Sequence, residues 1–286
     1  MKQLRDFIIH LRLHYQFLIL SGGYILAGLM VDNVNWTQYW LQFLNVHVLL
    51  FGGATAYNSW WDKDEGPIGG LKSHPKMRRW MWPASMVMQY VGLIWAFYVG
   101  WNYVIIYAIS MLFFWLYSSP LTRWKGKPVL SLVAIGISTG TNSFFMGFLA
   151  AGGYPITWFE DVTALGVACL VLSLYPVSQI YQTEEDIKRG DHTFASRFGL
   201  RGVKWLFAIL FPIGTAILTY SLVITRGTGG YIFGVVGLIA YMAILYQLWS
   251  LKGKEHEYPL VMRVKFMASL SFVLFMLTWI ASSLLL

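Results

Sequence analysis

Apolar residues in this chain come in long stretches, and the polar ones are gathered into short connections between them. Nine stretches, near 14–31, 40–61, 81–99, 103–119, 129–152, 163–183, 203–225, 232–251 and 266–286, reach the roughly 17–25 residues an α-helix needs to cross a bilayer. The pattern predicts an all-α polytopic membrane protein with nine transmembrane helices. No connection is long enough to build a soluble core of its own, so a single transmembrane domain over 1–286 is expected.

Composition agrees with that reading. A chain of 286 residues that is 57% hydrophobic, 12% charged and has a mean hydropathy of +0.56 has too little polar surface to hide its apolar residues from water. The basic residues then fix an orientation. With the N-terminus in the cytoplasm and nine crossings, every Lys and Arg except Arg226 falls on the cytoplasmic side, and adding or dropping one span would scramble the alternation. This predicts an N-in, C-out chain, integral to the inner (cytoplasmic) membrane of a bacterium or archaeon.

The same parity makes the first stretch a retained helix and not a cleaved signal. It also accounts for the net charge of +8 without nucleic acid, since no basic stripe interleaved with aromatics stands outside the membrane. Cys169 is the lone cysteine, which excludes an intrachain disulfide and a multi-cysteine metal site.

Acidic residues depart from this bland picture. Seven of the 13 Asp and Glu lie in two connections, one with Asp62, Asp64 and Glu65, the other with Glu184, Glu185, Asp186 and Asp191. Four crossings separate the two, so both emerge on one side and can face each other across a bundle. Helical geometry puts Asn58, Asp62 and Glu65 on one face, with Asp64 well round the helix, and puts Glu185 and Asp186 near the face of Gln182 with Glu184 pointing away. Gly66-Pro67 should end the first helix. Hard oxygen donors surrounded by Lys and Arg suit magnesium and a diphosphate. His74 and His192 lack paired metal-ligand spacing and read as loop residues.

At these residues the chain resembles the UbiA superfamily of intramembrane aromatic prenyltransferases, as a divergent branch. That family's first motif begins Asn-Asp-x-x-Asp-x-x-x-Asp, matched here at Asn58 and Asp62 but not at Ser59 or Gly66. Its second motif is matched at Asp186, Gly190 and Thr193, with Gln182 at the first aspartate position. Tyr117-Ser118-Ser119-Pro120-Leu121-Thr122-Arg123-Trp124-Lys125 is similar to the family segment after the fourth helix whose basic groups meet the diphosphate.

The resemblance implies a helix bundle around a central apolar cavity. It also implies magnesium held by Asn58, Asp62, Gln182 and Asp186, with Asp64 or Glu65 standing in for the group missing at Gly66 and Glu185 for the one missing at Gln182. Lys72, Arg123, Lys125 and Lys188 are the candidate diphosphate clamp. Tyr57, Tyr117, Tyr175 and Tyr181 are the candidates for contact with the prenyl chain or the acceptor.

The implied reaction is transfer of an isoprenyl group from an isoprenyl diphosphate to a lipophilic, aromatic acceptor among the membrane lipids. Asp62 and Asp186 would be essential, with Asn58 beside them. Transfer to a non-aromatic acceptor and cyclisation of the prenyl cation remain open within the family. A secondary transporter is the alternative of another class; it would carry charge near the bilayer midplane, where His47 is almost alone.

Overall fold

A backbone shielded from water must satisfy its own hydrogen bonds, and the apolar runs of this chain do so as helices. The computed structural model describes residues 2–63 and 66–285, and among them the helical segments fall in chain order into nine rods, two of them bent at a residue of positive φ, Arg12 in the first and Gly199 in the seventh. The first rod, α1, spans 2–29 through Lys2–Leu11, the π-helical Gln16–Leu20 and Gly22–Leu29. The second, α2, spans 36–62 through Trp36–Leu44, the π-helical Asn45–Gly52 and Gly53–Asp62. Next come α3 (Met81–Ala96), α4 (Trp101–Ser118) and α5 (Pro128–Ala151), the last with a π-helical stretch at Gly136–Thr141. Then α6 (Trp158–Lys188), α7 (Phe194–Arg226), α8 (Thr228–Ser250) and α9 (Tyr258–Leu285) complete the chain.

Six of these, α4 to α9, are long and apolar enough to cross a membrane. The first three hydropathic stretches also fold as helix, but α3 has only 16 residues and α1 is interrupted at Arg12, whose backbone is left-handed (φ 50°). A hydropathy window registers neither kind of break. The Leu11 carbonyl beside the Arg12 break is recovered by side chains: Gln16 Nε2 donates to it at 3.0 Å and Thr55 Oγ1 at 3.1 Å.

Small residues let the rods approach closely. A methyl group on Gly147 of α5 would sit 2.4 Å from the Tyr24 carbonyl oxygen of α1, and one on Gly140 would sit 2.7 Å from Ala168 Cα of α6. Around these contacts Ile25, Phe144, Val167, Leu218 and Val273 form one buried apolar cluster, and Tyr24, Tyr39, Phe51, Tyr103 and Tyr107 another.

The two ends of the bundle differ. At one end Arg226, the single basic residue outside the sequence-derived cytoplasmic set, donates to the carbonyls of Leu29 and Val31 and pairs with Asp32 at 2.6 Å. A cation at the C-terminus of a helical rod satisfies carbonyls the helix leaves unpaired. The ends of α2 and α6 and the α4–α5 and α6–α7 connections meet at the other end, and there the acidic residues collect.

Candidate active site

The last turn of α2 carries Asn58 and Asp62, and the helix stops at Lys63, which takes a left-handed backbone (φ 50°). Asp62 is 4% exposed. Its partners come from the α4–α5 connection, where Ser119 turns extended, Arg123 turns left-handed and Trp124–Gly126 form a 3-10 turn. That turn swings both basic side chains back toward α2. Lys125 Nζ lies 2.7 Å from Asp62 Oδ2, and Arg123 Nη1 lies 3.5 Å from Asp62 Oδ1.

Arg123 has a second hold. Its Nε donates to Asp191 Oδ1 and its Nη2 to Asp191 Oδ2, each at 2.7 Å, and the His192 backbone N–H donates to the Gly126 carbonyl at 3.1 Å. The α4–α5 and α6–α7 connections are thus joined through side chains and backbone. Burial on its own would lower the pKa of the Arg123 guanidinium. The bonds to Asp191 and the charges of Asp62 and Asp191 reverse that and raise it.

The second cluster lies where α6 tightens into the 3-10 segment Pro176–Gln182 and then resumes as Thr183–Lys188. The tightening shifts the face on which each acid emerges, which an even α-helical wheel does not allow for. Asp186 is 5% exposed. Gln182 Nε2 donates to the Pro67 carbonyl at 3.2 Å, and Glu185 Oε2 lies 3.1 Å from where a Cβ on Gly66 would stand. Glu185 also pairs with Arg189. Glu184 and Lys188 point to the exterior. Asp64 and Glu65 lie outside the described residues.

Above this polar end opens a cavity of about 280 Å³. Asn58, Asp62, Lys125, Tyr117, Tyr175, Tyr181 and Gln182 are on its wall, and the Tyr117 and Tyr175 hydroxyls lie 3.0 Å apart. Its apolar lining includes Phe51, Phe114, Val167, Leu170, Phe211 and Phe272. All three π-helical stretches contribute, through Gln16, Ile19 and Leu20, through Phe51, and through Thr139. An extra residue in a helical turn turns side chains inward at such points.

Not every candidate is here. Tyr57 is buried between Trp61 and Trp115, and Lys72 is exposed, as Lys188 is; none of the three lines the cavity. Arg123 stands behind the wall and grips both acidic clusters. In return the structure adds Arg12, Tyr15, Ser118 and Lys265 to the lining and Asp191 to the ion-pair network. The Asn58 side-chain amide donates to Ser118 Oγ at 3.1 Å, leaving its carbonyl oxygen for another partner.

Of the candidate oxygen donors for a hard divalent cation, those of Asn58, Asp62 and Gln182 line the cavity, whereas Glu185 and Asp186 lie outside its lining, Glu185 paired with Arg189 and Asp186 buried. Among the described residues no three His, Cys, Asp or Glu gather into a ready-made cage. That donor set fits magnesium, which takes one or two carboxylates and completes its shell from substrate phosphates and water.

Comparisons with known proteins bear on the fold and the family. The fold is similar to the structure of a UbiA homolog from Archaeoglobus fulgidus bound to DMAPP and Mg2+ (TM-score 0.75, 15% identity, 96% of this chain and 99% of that one covered). It is equally similar to the same homolog bound to GPP and Mg2+ (TM-score 0.75, 15% identity, the same coverage). A structure of digeranylgeranylglyceryl phosphate synthase aligns with a TM-score of 0.63 at 17% identity, covering 97% of this chain and 100% of that one. No curated protein matches the chain by sequence. The pattern of the UbiA prenyltransferase family matches residues 17–283, nearly the whole length, and the chain belongs to that family.

Proposed function

We propose that this protein transfers an isoprenyl group from an isoprenyl diphosphate to a lipophilic, aromatic acceptor inside the membrane, with magnesium. The observation that carries the reading is one cavity with two chemistries. Its wall is apolar and aromatic, and its polar end holds Asp62 against Lys125 beside Asn58 and Gln182. The UbiA homologues solved with DMAPP or GPP and Mg2+ share this fold and support the donor class.

Asn58, Asp62, Gln182, Glu185 and Asp186 are the residues that would hold the cation. Bound there, magnesium supplies Lewis-acid stabilisation of the departing diphosphate. Lys125 is buried at the cavity and carries a positive charge to the same place, ready to exchange Asp62 for a diphosphate oxygen. The allylic C–O bond breaks with both electrons leaving on the diphosphate. Phe51, Phe114 and the Tyr117–Tyr175 pair exclude water from the resulting carbocation and present π-faces to it. The acceptor's nucleophilic carbon then forms the new C–C bond and loses its proton to the released diphosphate.

In this reading all nine rods cross the bilayer with the N-terminus inside, and the two acidic clusters face the cytoplasm. The test is to incubate purified protein with magnesium, isoprenyl diphosphates of several chain lengths and a host lipid extract, following diphosphate release and prenylated products by mass spectrometry. Absence of magnesium-dependent diphosphate release with every donor would sink the proposal.

A further inference from the structure

Away from the active site, α7 and α8 meet in two grooves that the scheme above does not use. The first, of about 550 Å³, lies at the polar end and is lined by Leu200, Arg201, Lys204, Trp205 and Trp249. The second, of about 560 Å³, lies farther along the pair, between Pro212, Thr215 and Thr219 of α7 and Gly234, Gly237 and Tyr241 of α8. Arg201, Trp205, Pro212 and Thr219 follow one another at steps of four and seven residues, and Trp249, Tyr241, Gly237 and Gly234 at steps of eight, four and three. Those are the spacings of one helix face, so the grooves lie in line on one side of the pair.

Every polar side chain in the first groove is a donor, because Arg, Lys and Trp carry N–H groups and no acceptor. Lys204 Nζ gives two of its N–H groups to the Trp249 and Leu251 carbonyls, each at 2.9 Å. It lies 5.9 Å from the centre of the Trp249 ring, which Trp205 meets edge-on at 6.2 Å. Arg201 is exposed and makes no hydrogen bond or ion pair among the described residues. Glu257, the acid of the adjoining turn, is bound by the backbone N–H groups of Lys252, Gly253 and Lys254. The Arg201 guanidinium and the remaining Lys204 N–H are left for a ligand that accepts.

Depth says what that ligand is. Arg201 and Lys204 stand at the head of the 203–225 apolar stretch and Trp249 near the end of the 232–251 one, where hydrocarbon gives way to headgroups. From Lys204 to Thr215 the helix rises about 16 Å, close to the roughly 15 Å of hydrocarbon in one leaflet. Gly234 and Gly237 seat α8 so closely that an added methyl would stand 2.8 Å from Thr219 Cγ2 and 2.5 Å from Thr215 Cγ2, which keeps side chains off the floor of the second groove. We infer that a glycerophospholipid of net negative charge binds here, its phosphate at Arg201 and Lys204 between the two tryptophans and one acyl chain along the second groove. It bridges α7 to α8, of whose most apolar window only 17% is buried, the smallest share among the six membrane-length helices.

Native mass spectrometry of the purified full-length protein, stripped of lipid in detergent, tests this with dioleoyl phosphatidylglycerol, dioleoyl phosphatidylcholine and inorganic phosphate as probes. Phosphatidylcholine has the same phosphate beside a fixed positive charge, which Arg201 and Lys204 repel. Phosphatidylglycerol should bind about tenfold or more tighter than phosphatidylcholine, the gain two basic groups give at a membrane surface. Arg201→Gln should remove that preference and Arg201→Lys should retain it. Ala216→Trp, which fills the second groove from its rim, should weaken both lipids by about tenfold and leave their ratio unchanged. Thermal melting of the same samples should show phosphatidylglycerol raising the Tm of the unaltered protein and not that of Arg201→Gln.

Equal binding of the two lipids by the unaltered protein would overturn the inference without any variant. So would an Arg201→Gln protein that keeps the full preference, since the charge would then be read elsewhere. Displacement of phosphatidylglycerol by inorganic phosphate, one for one, would make the groove a site for free phosphate and not for a lipid. An Ala216→Trp protein that binds both lipids as before would take the acyl chain out of the second groove, and the inference with it. None of these measurements involves donor, magnesium or turnover, so their outcome is separate from that of the prenyltransferase reading.

Discussion

Arg123 holds Asp191 with both arms of its guanidinium at 2.7 Å while its remaining nitrogen approaches Asp62 at 3.5 Å, so one side chain ties the two acidic clusters together. Sequence position alone suggested a different job for Arg123, direct contact with the diphosphate. The fork geometry makes it a positioning residue, because its donors are taken by carboxylates that must stay aligned for the metal.

Arg123→Lys should therefore do more harm than a change that keeps the charge ordinarily does. A lysine cannot make the paired bonds to Asp191, so the α6–α7 connection loses its registration on α2. The charge is kept and one bond of the fork is lost, so the cost is that of a hydrogen bond to a charged group, about 1.5 kcal/mol of stability at the low end of its range because the Arg123 side chain is 26% exposed. The expected kinetic signature is a raised magnesium requirement and a reduced kcat with a smaller change in donor KM. An increase confined to donor KM would restore the diphosphate role.

Asp62 and Asp186 are the acids matched on both motifs, and both are buried at the site. Asp62→Asn and Asp186→Asn should each reduce turnover by more than about 100-fold, beyond the loss typical of removing a partner that only supports a metal ligand. Circular dichroism and thermal melting of the same samples check that the helices persist. Near-normal turnover in both variants at saturating magnesium would end the two-cluster scheme.

The four lysines and arginines chosen from sequence divide sharply in space. Lys125 is buried on the cavity wall, while Lys72 and Lys188 are exposed and away from it. Lys125→Gln should raise donor KM about tenfold or more, the value of one charge-assisted hydrogen bond. Lys72→Gln and Lys188→Gln should leave it within about twofold, as surface substitutions usually do. Steady-state kinetics with a single donor separates these outcomes.

What could be read from the sequence follows from the range of the interactions involved. Hydropathic stretches mark helices because a bilayer acts on each residue in the same way, and the acid clusters stand out because topology does not require them. Asn58, Asp62 and Gln182 were found by local spacing, and they line the cavity. Arg12 and Lys265 carry no such signal, because a basic residue near the head of an apolar run has an ordinary explanation in the positive-inside rule. Only tertiary contact shows that they are buried. Asp191 counted among the acids, but its pairing with Arg123 joins residues 68 positions apart. Tyr57 shares the motif helix, yet faces Trp61 and Trp115 because a neighbour in sequence sits elsewhere round the helix.

The substitute for the aspartate missing at Gln182 can be decided in the same way. Glu185 reaches toward Gly66 at the end of the first motif, and Glu184 is exposed on the other side of the turn. Glu185→Gln removes a charge from the side of the site nearest the first loop and breaks its ion pair with Arg189. It should raise the magnesium concentration for half-maximal activity by about tenfold, the lower end for a group that supports a metal site. Glu184→Gln should leave that concentration unchanged within about twofold, because an exposed carboxylate in water contributes little to a site it does not touch. A magnesium titration with the order reversed would mean that the helical turn through Thr183–Lys188 rotates when donor and metal bind, carrying Glu184 inward.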